Sequence, residues 1–217
     1  MIKVDFHTHS SASPDGGVTP EQYTKALSEG QLDCIAITDH NSVDLAQSLH
    51  KSLGDQIIVG EEIMTSEGEL IGLFLHSFVM PHQTAEATAK SIKAQGGIVY
   101  VPHPLETVRK GLPKSVLDDI AELVDVVEVH NGRAVFQNRG PQAATWARLN
   151  RKEIAASSDA HGHKGLSSAY TQMSEQPTAG NIIKLLKTAR FVTNRPPLRA
   201  LLYPKMHRLR KKLGANK

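Results

Sequence analysis

Cysteine and aromatic residues are scarce in this chain. A single cysteine, Cys34, among 217 residues excludes an internal disulfide and fits a reducing cytoplasm. With five Phe, four Tyr and one Trp, the core must be built from aliphatic side chains. No apolar run approaches the length of a membrane span, and the N-terminus lacks a signal-peptide pattern. The expectation is a cytoplasmic protein with no membrane insertion. A strong net charge is also lacking: the formal value is +3. That small number hides an asymmetry. Residues 195–217 carry eight Lys or Arg and no acid, which leaves 17 bases against 22 acids in the rest. A mildly acidic body argues against a nucleic-acid surface spread over the whole protein.

What is present is a repeated alternation of short apolar runs with helical patterns. Residues 1–6 read as a strand that breaks into His7-Thr8-His9. Thr19-Pro20-Glu21-Gln22 reads as a capping box with proline in the first helical turn. Strands are predicted over 34–37, 56–60, 70–75, 98–101, 124–129, 153–156, 168–173 and 191–193. Helices are predicted over 41–52, 84–95, 114–123, 136–150 and 178–187, with Trp146 and Leu149 both on a buried side. Strand followed by helix implies an α/β protein with a mainly parallel sheet. About seven units fit before residue 195, so the expected fold is a TIM-like barrel with fewer or distorted units. The expected division is one barrel domain over 1–194 and a basic, partly helical tail over 195–217.

The position of the ionisable residues carries the functional signal. His7, His9, His40, Glu62, His103, His130, Asp159 and His161 all fall just after predicted strands. In a parallel barrel the strand C-termini share one face, where active sites sit. Any one of these histidines alone reads as a surface or capping residue, and His50, His82 and His207 are read so. His76 also follows a strand but has no evident partner. Eight potential ligands from six strands are too many for one four-coordinate zinc, so two or three metals are expected. Imidazole with carboxylate suits Zn, Mn or Fe, and Mg remains an option.

The motifs His7-Thr8-His9-Ser10, Thr38-Asp39-His40, Gly60-Glu61-Glu62-Ile63, Val101-Pro102-His103-Pro104 and Ser158-Asp159-Ala160-His161 resemble, in order, those of the polymerase and histidinol phosphatase (PHP) superfamily. The resemblance implies a distorted (β/α)7 barrel, up to three metals and phosphate-ester hydrolysis. It implies a first metal on His7, His9, Glu62 and Asp159. Glu62 would bridge to a second, completed by His103 and His130, and Asp15, His40 and His161 would hold a third. Glu62 is chosen over Glu61 by the family's Gly-x-Glu spacing. Where many members have histidines near positions 69 to 72, this chain has Glu69 and Gly72.

Such a site predicts a phosphoesterase in which a hydroxide between metals bridged by Glu62 attacks phosphorus. Arg133 is the first choice for gripping phosphate, because guanidinium presents a fork of donors. Arg109, Lys110, Arg139 and Lys164 read equally well as solvated surface charges. Asn131 is a substrate contact or a loop brace, and His163 is the candidate to protonate a leaving group. A phosphorylated small molecule, metabolite or nucleotide, is the expected substrate. A phosphodiesterase or exonuclease acting on nucleotides or oligonucleotide ends is the alternative, as is a non-catalytic regulatory PHP module. In the tail, Pro204 opens a predicted helix that buries Met206, Leu209 and Leu213 on the barrel. Nucleic-acid binding by the basic tail is the less favoured reading.

Overall fold

The structure is a computed structural model and describes residues 1–134 and 137–214. Nine strands form one sheet: β1 (Ile2–Asp5), β2 (Cys34–Ile37), β3 (Ile57–Met64), β4 (Glu69–Leu73), β5 (Ile98–Val101), β6 (Val126–Asn131), β7 (Glu153–Ser157), β8 (Ala169–Met173) and β9 (Arg190–Thr193). Seven α-helices accompany them: α1 (Pro20–Ser28), α2 (Asp44–Leu53), α3 (Ala85–Ala94), α4 (Lys114–Asp119), α5 (Gly140–Leu149), α6 (Ile182–Leu186) and α7 (Tyr203–Lys212). The spatial order is β7-β6-β5-β4-β3-β2-β1-β8-β9. Thr171 of β8 nearly closes the sheet. Its hydroxyl donates to the Ala156 carbonyl of β7 at 2.9 Å and accepts from the Ala156 amide at 3.0 Å. The result is a distorted α/β barrel, as the resemblance implied.

The period-2 alternation of the strands sorts two cores. Val4, Ala36, Ile58, Ile71, Tyr100 and Val126 point inward and pack together, with α6 contributing Ile182 and Leu185. Ile35, Ile37, Val59, Val99 and Val127 point outward against the helices. The predicted capping box at Thr19 is present, with Thr19 and Gln22 bonding each other's backbone. Glu62 falls on the inward parity of Ile58, and Glu61 on the outward parity of Val59. Inward parity also applies to Glu69 on β4 and Glu128 on β6.

Several expectations are corrected. The sheet is mixed: β4 runs antiparallel to both β3 and β5, and β8 antiparallel to β1 and β9. A tight link, Thr65–Gly68, joins β3 to β4 where a parallel unit would need a helix, because Thr65 and Gly68 close a turn through paired hydrogen bonds. Leu149 is 74% exposed while Trp146 is buried, so the inward stripe of α5 is narrower than predicted. The predicted start of that helix, Phe136, lies outside the described residues. On α7 the expected packing is inverted: Met206, Leu209 and Leu213 are exposed. Among the described residues no helix is long and apolar enough to cross a membrane.

Candidate metal centre

The C-terminal ends of the parallel strands and the N-terminal end of β4 meet on one face. β1 ends at Asp5, directly before Phe6-His7, and the chain beyond it is laced to its neighbours. Asp5 accepts from the Ser158 hydroxyl at 2.5 Å and from the Ser158 amide at 3.0 Å. Asp39 accepts from the Ser10 hydroxyl at 2.5 Å and from the Ser10 amide at 2.7 Å. These two carboxylates hold the loops after β1, β2 and β7 in register. His103 and Asp159 have φ of 29° and 52°, in the left-handed region that ordinary residues avoid. Such local strain persists only where surrounding contacts over-determine it, and it clusters at functional sites.

Buried imidazoles and carboxylates then converge. His7 Nε2 and His9 Nε2 stand 3.1 Å apart. Glu62 Oε2 is 3.5 Å from the first and 3.1 Å from the second, and Asp159 Oδ1 is 3.6 and 3.5 Å away. The other Glu62 oxygen, Oε1, faces His103 Nε2 at 3.1 Å. Asp15 Oδ2 faces His161 Nε2 at 3.4 Å and His40 Nε2 at 3.6 Å. Four overlapping sets with metal-ligand spacing result: His9-Asp15-His40-His161, His7-Glu62-His103, His7-His9-Asp159 and His40-Glu62-Glu69.

These sets fit divalent cations. Two donors each about 2.1 Å from one ion, at an angle of about 90–109°, stand roughly 3.0–3.4 Å apart. The distances around His7 and His9 lie close to that range. Glu128 Oε1 lies 3.1 Å from His7 Nδ1 and, being a carboxylate, can only accept, so the other His7 nitrogen, Nε2, carries the lone pair of the neutral ring. Two facing imidazole nitrogens then need a proton or a cation between them. The acid–base directions agree. Burial opposes charge on His9, yet the Asp159 and Glu62 carboxylates hold its imidazole up to about 10. Burial would raise Glu62, but His7 and His40 keep it well below the usual carboxylate range. Asp159 is likewise held low against burial by Arg133 and His7. Burial and the Glu62 charge push Glu69 up to about 9. Burial and the Arg133 guanidinium drive His161 down to about 3. The buried carboxylates thus draw positive charge to His9, while His161 beside Arg133 is kept neutral.

Of the sequence-predicted residues, His7, His9, Asp15, His40, Glu62, His103, Asp159 and His161 are brought together. His130 is not among these groups. A bulge between Glu128 and His130 shifts the strand register, so Asn131 rather than His130 takes the inward place. His130 Nε2 is buried without a hydrogen-bond partner. His163 is exposed and does not line the cavity above the cluster. His76 is also exposed, at the opposite end of β4 from Glu69. Arg133 does reach the site: its Nη1 lies 3.2 Å from Asp159 Oδ2 and 3.2 Å from His161 Nδ1, and its Nε is buried without a partner. Arg109, read from sequence as no more than an even candidate, is half-hidden in the site and donates to Asp159 Oδ2 at 2.9 Å and to Glu106 at 2.7 Å. Arg139 is exposed, and neither it nor Lys164 lines the cavity.

Two residues were missed. Glu69 Oε1 is 3.8 Å from His40 Nδ1, and its Oε2 is 3.7 Å from His103 Nε2. Glu128 accepts from the Tyr100 hydroxyl at 3.1 Å, the His103 amide at 2.7 Å and Asn131 Nδ2 at 2.8 Å, besides pairing with His7. A lone glutamate inside the apolar run Val126–Val129 was the available signal, since a buried carboxylate must be paired. Glu128 fixes the His7 ring and its tautomer. Glu128→Gln is expected to weaken metal affinity roughly 10–100-fold with the fold intact, as loss of an outer-shell partner does. Metal titration against a competing chelator measures this. Unchanged affinity would mean that the backbone alone sets the ring.

The cluster floors a cavity of about 610 Å³ whose walls include Lys110, Arg109, Arg133, Lys205 and Arg208. A second cavity of about 520 Å³, lined by residues such as His50, Phe74 and Pro177, holds none of the clustered groups.

Two uncharacterized proteins of Methanocaldococcus jannaschii are similar in sequence. One is 31% identical over 150 residues, covering 63% of this chain and 88% of that protein. The other is 31% identical over 178 residues, covering 80% and 71%. Among solved structures, a two-domain protein from Bacteroides vulgatus containing a predicted PHP-like metal-dependent phosphoesterase superposes with a TM-score of 0.70 at 20% identity. The match covers 89% of this chain and 65% of that one, so this chain spans less than two thirds of its length. The sequence profile of the PHP domain matches residues 5–191, from the aspartate that ends β1 through β9. With the barrel and the strand-end histidines and carboxylates in place, the chain belongs to the PHP domain family.

Proposed function

We propose that this protein is a metal-dependent phosphoesterase that hydrolyses a monoester of a small phosphorylated molecule, a metabolite or a nucleotide. The observation that carries the reading is the two-sided use of Glu62, one oxygen toward His7 and His9 and the other toward His103. His7, His9, Glu62 and Asp159 would hold one ion, Glu62 with His103 and Glu69 a second, and Asp15, His40 and His161 a third. Bound there, such ions activate water as a nucleophile and neutralise phosphoryl oxygens. Zn, Mn, Fe and Mg are the candidates.

The chain's own groups set the rest. Arg133, at the cavity wall, binds the phosphoryl group. Glu106 and Asn131 clamp Arg109 against Asp159, which keeps that carboxylate from rotating. Asp159 thereby turns Oδ1 to the imidazoles and Oδ2 to the guanidinium groups. The cavity volume falls in the small-ligand range of about 300–1,000 Å³. The name borne by the Bacteroides structure supports the reaction class.

The test is turnover of aryl phosphate, phosphorylated metabolites, nucleotides and phosphodiesters by protein of measured metal content. Monoester hydrolysis is expected, and Arg133→Ala should raise KM roughly 10–100-fold, the worth of a charge-assisted phosphate contact. Preference for diesters or oligonucleotide ends would replace the monoesterase reading. Bound metal with no turnover of any ester would favour a non-catalytic module.

A further inference from the structure

The C-terminal helix α7 docks in an unusual way. Met206, Leu209 and, just past its end, Leu213 face water, while Tyr203, His207, Arg208 and Lys211 reach the barrel. Lys211 Nζ donates to the carbonyls of Ser11 at 2.8 Å, Gly16 at 3.2 Å, and Ser13. The His207 ring lies over Gly17 and the Tyr203 ring over Gly162, each so close that a Cβ at the glycine would collide with it. The helix therefore grips the two loops that carry Asp15 and His161. Apolar burial alone would have turned the helix the other way, so its docking is set by these polar and ring contacts.

Docked so, α7 walls the cavity with Pro204, Lys205 and Arg208, beside Leu201 from the turn before it. Arg208 Nη2 donates to Asp15 Oδ2 at 2.5 Å. That same oxygen faces His40 and His161, the group that can hold a cation. A cation there would take over the neutralisation of Asp15. The Arg208 side chain is 59% exposed and lines the cavity. Guanidinium matches phosphate with two parallel donors, which a carboxylate released from it leaves free.

We propose that α7 is a fixed wall of the substrate pocket and that Arg208 is a substrate-binding residue, holding a phosphate oxygen opposite Arg133. The inference rests on the phosphoesterase reading for its substrate class. Lys211, His207 and Tyr203 are positioning residues that keep the wall in place.

Binding of inorganic phosphate to the metal-loaded full chain, measured by calorimetry, tests it together with metal content. Arg208→Ala is expected to weaken phosphate binding roughly 10–100-fold with metal content unchanged. Arg208→Lys should recover part of the loss. Arg210→Ala, which removes an equal charge from the exposed side of the helix, should change nothing. Where an ester is turned over, Arg208→Ala should raise KM more than it lowers kcat. Wild-type phosphate affinity in Arg208→Ala, an equal loss in Arg210→Ala, or a loss of bound metal in place of phosphate affinity would each overturn the proposal. Arg208-dependent phosphate binding without hydrolysis of any ester would sustain it while removing the phosphoesterase reading.

Discussion

Glu62→Gln is expected to lower kcat/KM on the order of 1,000-fold, about 4 kcal/mol of transition-state stabilisation. The substitution is isosteric, so the strand and its packing should survive. The chemistry does not. Glu62 Oε2 lies within 3.1–3.5 Å of His9, His40 and His7, and Oε1 lies 3.1 Å from His103. An amide turns one of these oxygens into a donor that repels cations and removes the charge shared between the sets. His103→Ala removes a donor from one set and His40→Ala from two, but neither removes a carboxylate charge, and their losses should be smaller. Kinetics with metal stoichiometry on the three variants decides the matter. Full activity in Glu62→Gln would end the bridging role.

Metal removal is expected to cost stability as well as activity. Asp15, Glu62, Glu69, Glu128 and Asp159 are buried within one region, where Arg109 and Arg133 pair with Asp159 and Arg208 with Asp15. Ligand binding stabilises the folded state by about 4 kcal/mol at free ion 1,000 times Kd. In a domain of this size each kcal/mol shifts Tm by about 2–4 °C, so full chelation should lower Tm by roughly 8–16 °C. Thermal melts with and without chelator, followed by re-addition of each metal, measure the effect. An unchanged Tm with protein shown to be metal-free would mean that protons and the Arg109 and Arg133 side chains already balance the cluster.

Most of the residues that sequence reading assigned to the site share one property. They follow parallel strands, where the position after the last apolar residue falls on the active face. His7, His9, His40, His103 and Asp159 all obey that rule. Its failures come from β4. An antiparallel strand begins where its neighbours end, so Glu69 at its start belongs to the site and His76 beyond its end does not. The apolar pattern of 70–75 carries no direction, because a strand reads alike both ways. His130 fails for a second reason: one bulge residue in β6 exchanges its place with Asn131. Glu128 was legible in principle, since a carboxylate at the inward parity of an apolar strand must find partners.

α7 shows the limit most clearly. Its sequence offers an apolar stripe and a basic face, and burial favours the stripe. The structure instead turns Tyr203, His207, Arg208 and Lys211 inward, because Gly17 and Gly162 admit two rings, and Asp15 with three loop carbonyls receives Arg208 and Lys211. Those partners lie about 190 residues away in the chain. By itself the sequence carried the α/β alternation and the strand-end placement of His7, His9, His40, His103 and Asp159, because both follow from local periodicity, while Glu62 was taken from the spacing of a family motif. Strand direction, the bulge and the face of α7 were decided only by tertiary structure. Each depends on which distant groups meet, and a local pattern carries no record of that.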